Sequence, residues 1–165
     1  MKILGIDPGF ARMGYAILEG DKKNIRVIDC DCFETSSKLD YKKRLVLVAD
    51  KVKGLVSKYR PAAIAIEKVF FAKNQKTALQ IAEVRGILLY LSACLKIPAY
   101  EYTPLEVKMA LCGYGKATKE EVQKMLKILT KKQSLPKSDD ATDALAIGLT
   151  CAYHLPRLSA GQIRL

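Results

Sequence analysis

The order of apolar patterns along the chain predicts an α/β fold, with one mixed β-sheet flanked by helices. Three strand-like segments come first, and helix and strand patterns alternate after them, which is the order typical of a single mixed sheet. The chain has 165 residues, and 50% of them are hydrophobic, which is enough to bury a core without disulfide or metal cross-links. We therefore expect one domain of ordinary size.

The first part of the chain predicts three consecutive strands. Residues 2–7 form a short apolar run that a Pro-Gly turn ends, and residues 14–18 form a second run after this turn. Residues 25–35 alternate between apolar and polar side chains, as a half-buried strand does. The polar residues 20–24 predict a turn, so we expect the third strand to run antiparallel to the second.

Helix and strand patterns alternate through the rest of the chain. An apolar run at residues 62–66 predicts a strand that ends on Glu67, and residues 97–102 predict a fifth strand. Thr103 followed by Pro104 is a typical helix opening, with a polar cap before a proline in the first turn. The other helical patterns cover residues 39–59, 75–95, 119–130 and 139–153.

The charge of the chain indicates a polyanionic partner. Lys and Arg number 28 against 17 acidic residues, so the formal net charge is +11. A compact domain with this charge repels itself, and binding to nucleic acid would offset that repulsion. Charge alone leaves open the alternative of a basic soluble protein without such a partner.

The cysteine and histidine content argues against a zinc site or a disulfide framework. The chain has five cysteines in no Cys-x-x-Cys pair, and a single histidine, His154. Cys30 and Cys32 lie two apart in a predicted strand, so both should face the same side. The start of the chain does not resemble a secretory signal, and no apolar stretch has the length of a membrane span. We therefore expect reduced thiols and a cytoplasmic location.

Two acidic residues end predicted apolar strands. Asp7 follows the first strand and Glu67 follows the fourth. Because a buried, unpaired carboxylate is strongly unfavourable, each needs a cation, hydrogen-bond donors or an exposed strand end. If the two strands are parallel neighbours, both carboxylates lie at the same carboxyl edge, which is the usual ligand crevice of open α/β sheets.

A second acidic pair, Asp140 and Asp143, lies near the start of the last predicted helix. Residues three apart share one face of a helix. Acidic residues at a helix start also complement the helix dipole or cap the helix, and Asp139 fits that purely structural role. No basic residue stands between Asp140 and Asp143, so a cluster with Asp7 and Glu67 would need divalent cations to stay ionised.

The chemistry of such a cluster favours magnesium or manganese, because its ligands are all oxygens. Two such ions, about 3.5–4 Å apart, suit in-line displacement at phosphorus. One lowers the pKa of the attacking water, and the other stabilises the leaving oxygen. The carboxylates would place the metals, and none needs to act as a nucleophile. The sequence thus predicts a metal-dependent phosphodiesterase site that acts on DNA.

Several motifs in order along the chain resemble the RuvC family of Holliday-junction resolvases, in the ribonuclease H-like superfamily. The Asp-Pro-Gly turn alone is a weak signal, whereas the full ordered set is specific and spans nearly the whole chain. The matching segments are Gly5-Ile6-Asp7-Pro8-Gly9 with Gly14-Tyr15, Ala65-Ile66-Glu67-Lys68-Val69-Phe70 with Ala72-Lys73-Asn74, Ala82-Glu83-Val84-Arg85-Gly86, Glu101-Tyr102-Thr103-Pro104 with Val107-Lys108, and Asp140-Ala141-Thr142-Asp143-Ala144-Leu145-Ala146.

This resemblance implies a fold and a set of partners. It implies a ribonuclease H-like sheet of five strands, the first three antiparallel and the remainder parallel, in a nuclease domain at residues 1–155 with a basic tail at residues 156–165. It also implies a homodimer that binds a four-way DNA junction and nicks two strands symmetrically, in recombination and repair. Mg²⁺ would be the cofactor, Mn²⁺ would substitute, and the branch-migration proteins RuvA and RuvB would be partners.

The resemblance also assigns residue roles. Asp7, Glu67, Asp140 and Asp143 fall on the family's metal-binding catalytic positions, although some members carry His at the position of Asp140. The resemblance favours Phe70 as a residue that stacks on an unpaired base, a contact of about 1–3 kcal/mol.

Basic residues near these positions are candidates for contacts with DNA phosphates. They are Lys73, Lys76, Lys108, Lys116 and Lys119, of which Lys108 and Lys119 match basic residues that the family uses near the scissile phosphate. A solvated helix start is the structural alternative for Lys73 and Lys76.

The predicted helix at residues 75–95 is apolar around much of its perimeter, so it is either deeply buried or shared with another subunit. Gly86 would permit close backbone approach, and we expect Tyr90 to serve in packing. In related dimers this helix lies at the interface, and a twofold dimer would match the two equivalent strands of a junction.

Three other functions stay possible from the sequence. The Asp-Pro-Gly turn before a strand also resembles the phosphate loop of actin-like sugar kinases, but those enzymes need a second lobe for which this chain is too short. A catalytically idle DNA-structure-binding module has no reason to keep a repelling acidic set. A nuclease of the same fold that acts on other DNA or RNA structures would share the metal chemistry.

Overall fold

Five strands and five helices make up the part of the chain that the structure describes. The structure is a computed structural model that describes residues 1–22, 24–68 and 75–155, with the backbone alone for residues 75–77. The strands are β1 (Lys2–Asp7), β2 (Arg12–Asp21), β3 (Asn24–Glu34), β4 (Ala63–Glu67) and β5 (Ala99–Tyr102). The helices are α1 (Tyr41–Tyr59), α2 (Gln75–Cys94), α3 (Pro104–Cys112), α4 (Lys119–Thr130) and α5 (Asp139–His154).

The strands form one mixed sheet in the order β3-β2-β1-β4-β5. Strand β2 is antiparallel to both β1 and β3, whereas β1, β4 and β5 run parallel to one another. This arrangement confirms the predicted α/β class and its division into antiparallel and parallel halves. Because Ile6 of β1 lies opposite Ile66 of β4, these neighbouring strands end at the same edge of the sheet.

The bounds of the elements follow the predicted ones closely, and the largest difference is in β2. This strand covers ten residues rather than the five predicted at 14–18, because it pairs with β3 from Arg12 opposite Glu34 to the end of the hairpin. The polar residues at its ends are held by the neighbouring strand rather than by burial. Helix α1 begins at Tyr41 because the Asp40 carboxylate caps it, accepting a hydrogen bond from the Lys42 amide at 2.9 Å.

Apolar side chains cover both faces of the sheet. On one face α1 and α2 pack over strand residues such as Leu4 and Ile64. On the other face α5, supported by α3 and α4, packs over Ile3 and Ala65. Strands β1 and β4 are therefore buried on both faces, as in other α/β proteins, whereas the edge strand β5 is only partly buried. None of the helices in the described ranges is both long and apolar enough to cross a membrane.

Two glycines allow α5 to lie directly on the sheet. A Cβ on Gly5 would lie 2.3 Å from the carbonyl oxygen of Ala144, and a Cβ on Gly14 would lie 1.9 Å from that of Asp140. No side chain larger than hydrogen fits at either position without moving the helix. These contacts fix the depth of α5, and they hold Asp140 and Asp143 beside the end of β1.

The first two cysteines face α5 from strand β3. The Sγ atom of Cys30 lies 3.3 Å from the carbonyl oxygen of Ala141, and that of Cys32 lies 3.6 Å from Oδ2 of Asp140. Both thiols therefore point to the same face of the sheet, as their spacing predicts. The Cys30 thiol is largely shielded from water, and this burial raises its pKa to about 12.

Candidate active site

Asp7 and Glu67 end the adjacent parallel strands β1 and β4, and their side chains form a hydrogen-bonded pair. Burial, as the largest cause, and the negative charges of Glu67 and Asp143 together raise the pKa of Asp7 to about 8. Asp7 is therefore the protonated partner near neutral pH, and it donates its hydrogen bond to Glu67. The two carboxyl groups share one proton.

The pKa of Glu67 is also raised, mainly by burial and also by the charge of Asp143, while the hydrogen bond from Asp7 acts in the opposite direction. In the metal-free protein the pair retains one proton at neutral pH. A divalent cation could replace that proton and leave both carboxylates ionised. Because all of the donors here are oxygens, the pair fits a hard cation.

Asp143 reaches the same region from the first turns of α5, on the solvent side of the cluster. Partial burial of its carboxyl group raises the pKa of Asp143. The charge of Lys119 lowers this pKa, and the charges of Asp139 and Asp140 raise it. It contributes negative charge to both Asp7 and Glu67. All four predicted acids are thus linked electrostatically, because Asp140 raises the pKa of both Asp7 and Asp143.

Asp140 has a basic partner that the sequence analysis missed. Its Oδ2 atom accepts hydrogen bonds from Nε of Arg12 at 2.9 Å and from Oγ of Ser138 at 3.1 Å. The expectation that only divalent cations would keep this acid ionised is therefore wrong in part, because Arg12 of strand β2, 128 residues earlier in the chain, also balances its charge. A search for charges within the helix itself could not find a partner so distant in sequence.

Helix α5 begins at Asp139 as predicted, but its capping residue differs from the expected one. Ser138 is the N-cap, and its hydroxyl accepts a hydrogen bond from the Ala141 amide at 3.5 Å. Asp139, which we expected to cap the helix, instead forms an ion pair with Nζ of Lys119 at 2.8 Å. Asp139 still lies in the first turn, where a negative charge complements the helix dipole.

The four acids lie in one region, but they do not form a complete metal-binding cluster. Within residues 1–22, 24–68 and 75–155, no three Asp, Glu, His or Cys side chains are close enough together to hold an ion as they stand. Asp7 and Glu67 are paired through a proton, and Asp140 is instead turned to Arg12. The residues fit a cation by donor chemistry and burial.

Two clefts flank the acids. One, of about 230 Å³, is lined by Glu67 and Asp143 together with Lys108, Lys119 and apolar residues of α3, α4 and α5. The other, of about 300 Å³, lies between the Asp7 turn and the start of α5, and it is lined by Arg12, Gln80, Ile81 and Asp140 among others. The first cleft combines acidic and basic side chains, as a phosphodiester site requires.

The predicted DNA contacts have mixed outcomes. Lys108 and Lys119 line the first cleft beside the acids. Lys116 lies in the exposed turn between α3 and α4 and is not among the residues that line this cleft. Phe70 and Lys73, and the side chain of Lys76, lie outside the described residues.

Another ion pair near the site was missed in the sequence. Arg85 of α2 binds both carboxylate oxygens of Glu101 on β5, with Nη2 lying 2.8 Å from Oε2. Glu101 lies opposite Ile66, one residue before Glu67. The pair ties α2 to the parallel half of the sheet, and it lowers the pKa of Glu101.

Comparison with known sequences identifies relatives along nearly the whole chain. A family model, Crossover junction endodeoxyribonuclease RuvC, matches residues 3–151. The protein of that name from Roseiflexus sp. strain RS-1 is 41% identical over 157 residues, which cover 95% of this chain and 94% of the relative. The one from Halothermothrix orenii is 44% identical over 149 residues and covers 90% of both chains.

Comparison with solved structures gives the same family. The structure of T. thermophilus RuvC in complex with a Holliday junction substrate has a TM-score of 0.88 and 31% identity, and the match covers 93% of each chain. The yeast mitochondrial Holliday junction resolvase Ydc2 has a TM-score of 0.65 at 13% identity, over 92% of this chain and 78% of that one, a likeness that shows the fold alone. From the extent of the family match and the identity of these relatives, the chain belongs to the RuvC family of crossover junction endodeoxyribonucleases.

Proposed function

We propose that this chain is a structure-selective endonuclease that resolves four-way DNA junctions in homologous recombination and DNA repair. The observation that carries the proposal is the proton-sharing pair of Asp7 and Glu67 at the carboxyl edge of the sheet, with Asp143 beside it, in a chain of the RuvC family. The T. thermophilus relative was solved with a Holliday junction substrate. The net charge of +11 supports the same substrate class.

The RuvC family consists of metal-dependent nucleases with the ribonuclease H-like fold. We propose that Asp7, Glu67, Asp140 and Asp143 hold the metal, that Mg²⁺ is the cofactor with Mn²⁺ able to substitute, and that each site takes two ions. Bound divalent cations would activate the attacking water and stabilise the leaving oxygen, so that cleavage leaves 5′-phosphate and 3′-hydroxyl ends. Asp7 and Glu67 give up their shared proton when they bind a cation.

Lys108 and Lys119 would act on the phosphate. Both line the cleft that Glu67 and Asp143 border. Lys108 forms no ion pair within the described part of the chain, so its charge is available to the substrate. Lys119 is held by Asp139 at 2.8 Å in the DNA-free protein, and it would exchange this exposed partner for a phosphate oxygen.

The other DNA contacts are proposals from the sequence. Phe70 would stack on an unpaired base at the junction centre, a contact that is tolerant of sequence. Lys73, Lys76 and Lys116 would bind backbone phosphates along the arms and would contribute to the salt dependence of binding. Lys116 is supported by its exposure on the turn that follows α3.

A homodimer is the proposed working form, with helix α2 at its interface. Leu79, Gly86 and Tyr90 lie on one face of this helix, and Leu79 and Tyr90 are 62% and 68% exposed. Tyr90 is therefore largely exposed instead of packed against the described part of its own chain, contrary to our expectation. A Cβ on Gly86 would meet no atom of the described residues within 4 Å, so this face has room for a second helix. Two copies related by a twofold axis would present two equivalent sites to a junction.

A functional link to the RuvA–RuvB branch-migration complex is proposed from family membership. A cytoplasmic location likewise stays a prediction from the sequence. Residues 1–155 as a single nuclease domain and residues 156–165 as a basic tail are proposed on the same ground, and the tail lies outside the described residues.

The experiment that tests the function compares three substrates in magnesium: a mobile four-way junction, a linear duplex of the same sequence, and an RNA–DNA hybrid. Paired symmetric nicks confined to the junction support the proposal. Cleavage of the hybrid or duplex at an equal rate would favour a nuclease of the same fold with another substrate. Tight junction binding without nicking in either Mg²⁺ or Mn²⁺ would favour a catalytically idle binding module.

A further inference from the structure

Asp140 is held by one of its two carboxylate oxygens. Three donors converge on Oδ2: Nε of Arg12 at 2.9 Å, Oγ of Ser138 at 3.1 Å and Sγ of Cys32 at 3.6 Å. None of the described residues donates a hydrogen bond to Oδ1. One oxygen is therefore fixed by the protein, and the other is the available ligand atom.

Two of the donors that hold Asp140 come from neighbouring positions on two strands of the sheet. Arg12 and Gly14 lie two apart on β2, so both face α5, and their partners on β3 are Glu34 and Cys32. Gly14 has no side chain, which allows the backbone of Asp140 to approach the sheet. The side chains on either side of that gap, Arg12 and Cys32, then reach the carboxylate.

Arg12 is itself held in place from two further directions. Its Nη2 donates a hydrogen bond to Oγ of Ser138 at 3.2 Å, and its Nη1 lies 3.5 Å from Oε1 of Glu34. The guanidinium plane is thereby fixed by three separate groups. A planar fork with several donors suits this arrangement better than a single ammonium group does.

Stability does not explain this arrangement. The side chain of Arg12 is 50% exposed, and exposed ion pairs of this kind add little to folding stability. The three contacts to Oδ2 instead determine the orientation of the Asp140 side chain. This side chain lines the same cleft as Asp7. Groups that hydrogen-bond a metal ligand orient it and preserve its charge state.

We propose that Arg12 is a positioning residue for the metal site, which fixes Asp140 by one oxygen and presents the other to the cation. The inference rests on the proposed function of Asp140 as a ligand. The opposite arrangement, in which Arg12 competes with the cation for Asp140, predicts an effect of opposite sign on metal affinity. Arg12 does not touch the substrate in this account.

The test is the Mn²⁺ affinity of the DNA-free protein, measured by isothermal titration calorimetry at fixed pH. Loss of a group that orients a ligand costs about 10- to 100-fold in metal affinity, so Arg12→Gln should weaken Mn²⁺ binding by that factor. The matched control is Arg26→Gln, which removes an exposed arginine of β3 whose Nη2 lies 2.7 Å from Oε2 of Glu19 on β2. This control should keep the wild-type affinity.

A second readout separates positioning from catalysis. In Arg12→Gln, the Mg²⁺ concentration for half-maximal nicking should rise by the same factor, while the nicking rate at saturating Mg²⁺ stays within a few-fold of wild type. Junction binding in EDTA should match that of Arg26→Gln, because each variant loses one positive charge. Unchanged or tighter Mn²⁺ binding in Arg12→Gln would overturn the proposal.

Arg12→Lys separates geometry from charge, and it also serves if Arg12→Gln does not fold. Lysine keeps the charge but not the planar fork, so it should restore Mn²⁺ affinity only in part. Full restoration by lysine would show that charge alone matters, and would contradict the positioning role. If the wild-type protein does not nick junctions, the proposed function fails, whereas the Mn²⁺ comparison of Arg12 with Arg26 variants still decides this inference.

Discussion

Asp7 donates a hydrogen bond to Glu67 across two parallel strands, at the edge where both strands end. The pair holds a proton that an exposed carboxyl group would have lost near pH 4, because burial and neighbouring negative charge raise the pKa of Asp7 to about 8. A divalent cation could replace this proton, so both the stability of the protein and its affinity for metal should depend on pH. Both can be measured without DNA.

The first prediction concerns stability against pH in EDTA. The folded state keeps the Asp7 proton up to about pH 8, whereas the unfolded chain loses it near the ordinary aspartate pKa of 3.8. Because the folded state binds more protons in this window, the free energy of unfolding should fall as pH rises from about 4 to about 8, and then level off. Urea unfolding at several pH values measures this free energy. Asp7→Asn should flatten this dependence, and an equal slope in wild type and variant would contradict the assignment.

The second prediction concerns metal binding against pH. A cation that displaces the shared proton of Asp7 and Glu67 must release it, so Mn²⁺ affinity should increase as pH rises toward 8 and change little above it. Titration calorimetry in buffers of different ionisation enthalpy counts the protons released. Release of no proton at pH 7 would mean that the pair is not the binding site.

The third prediction concerns the contact between Gly14 and Asp140. Gly14→Ala would place a methyl group 1.9 Å from the Asp140 carbonyl oxygen, so α5 must move away from β2. We expect a loss of about 1–3 kcal/mol in the free energy of unfolding, as is typical of overpacked sites. The control is Gly54→Ala in α1, where a Cβ would meet nothing within 4 Å among the residues that the structure describes. That variant should gain about 0.5–1 kcal/mol from helix propensity, and equal effects of the two changes would refute the close packing.

The fourth prediction concerns the proposed dimer. Gly86→Glu adds a charge to the open face of α2, so the sedimentation coefficient should change from that of a dimer to that of a monomer. The variant should remain folded, with the melting temperature of the monomer unchanged. Gly54→Glu, on the exposed side of α1, is the matched control and should stay dimeric. The Gly86 variant should also lose paired nicking of the two strands. A dimer that survives this change would place the interface elsewhere.

The fifth prediction concerns Lys108. Its loss in Lys108→Ala should lower the nicking rate by about 100-fold, the effect of removing one donor that stabilises transition-state charge. Junction affinity should fall much less. Lys53→Ala, at an exposed ion pair with Asp50 on α1, is the control and should nick at the wild-type rate. Equal losses of affinity and rate would mean that Lys108 only binds the backbone.

The sequence predicted the parts of the fold and site that depend on local patterns. The apolar runs that end on Asp7 and Glu67 identify two buried strands, and their parallel pairing brings both acids to one edge. The spacing of Asp140 and Asp143 likewise follows from one helix. These features need no information from distant residues.

The features that escaped prediction are contacts between residues far apart in the chain. Arg12 contacts Asp140 across 128 positions, and Arg85 contacts Glu101 between a helix and a strand. The periodicity of the sequence does not predict such pairs, because they depend on how α5 and α2 pack against the sheet. One partial signal was present. Arg12 lies two residues before Gly14 on the same face of β2, and a glycine on that face allows a helix to approach closely.

The most direct measurement of the central claim compares Asp7→Asn with wild type on a mobile four-way junction in magnesium. The acids hold metal and the lysines hold DNA in this account, so the variant should bind the junction with wild-type affinity. Its nicking should fall by more than about 100-fold, because loss of a ligand exceeds loss of a group that only orients one. Asp50→Asn on α1 is the control and should cut normally. Nicking by Asp7→Asn at the wild-type rate would contradict the assignment of the site.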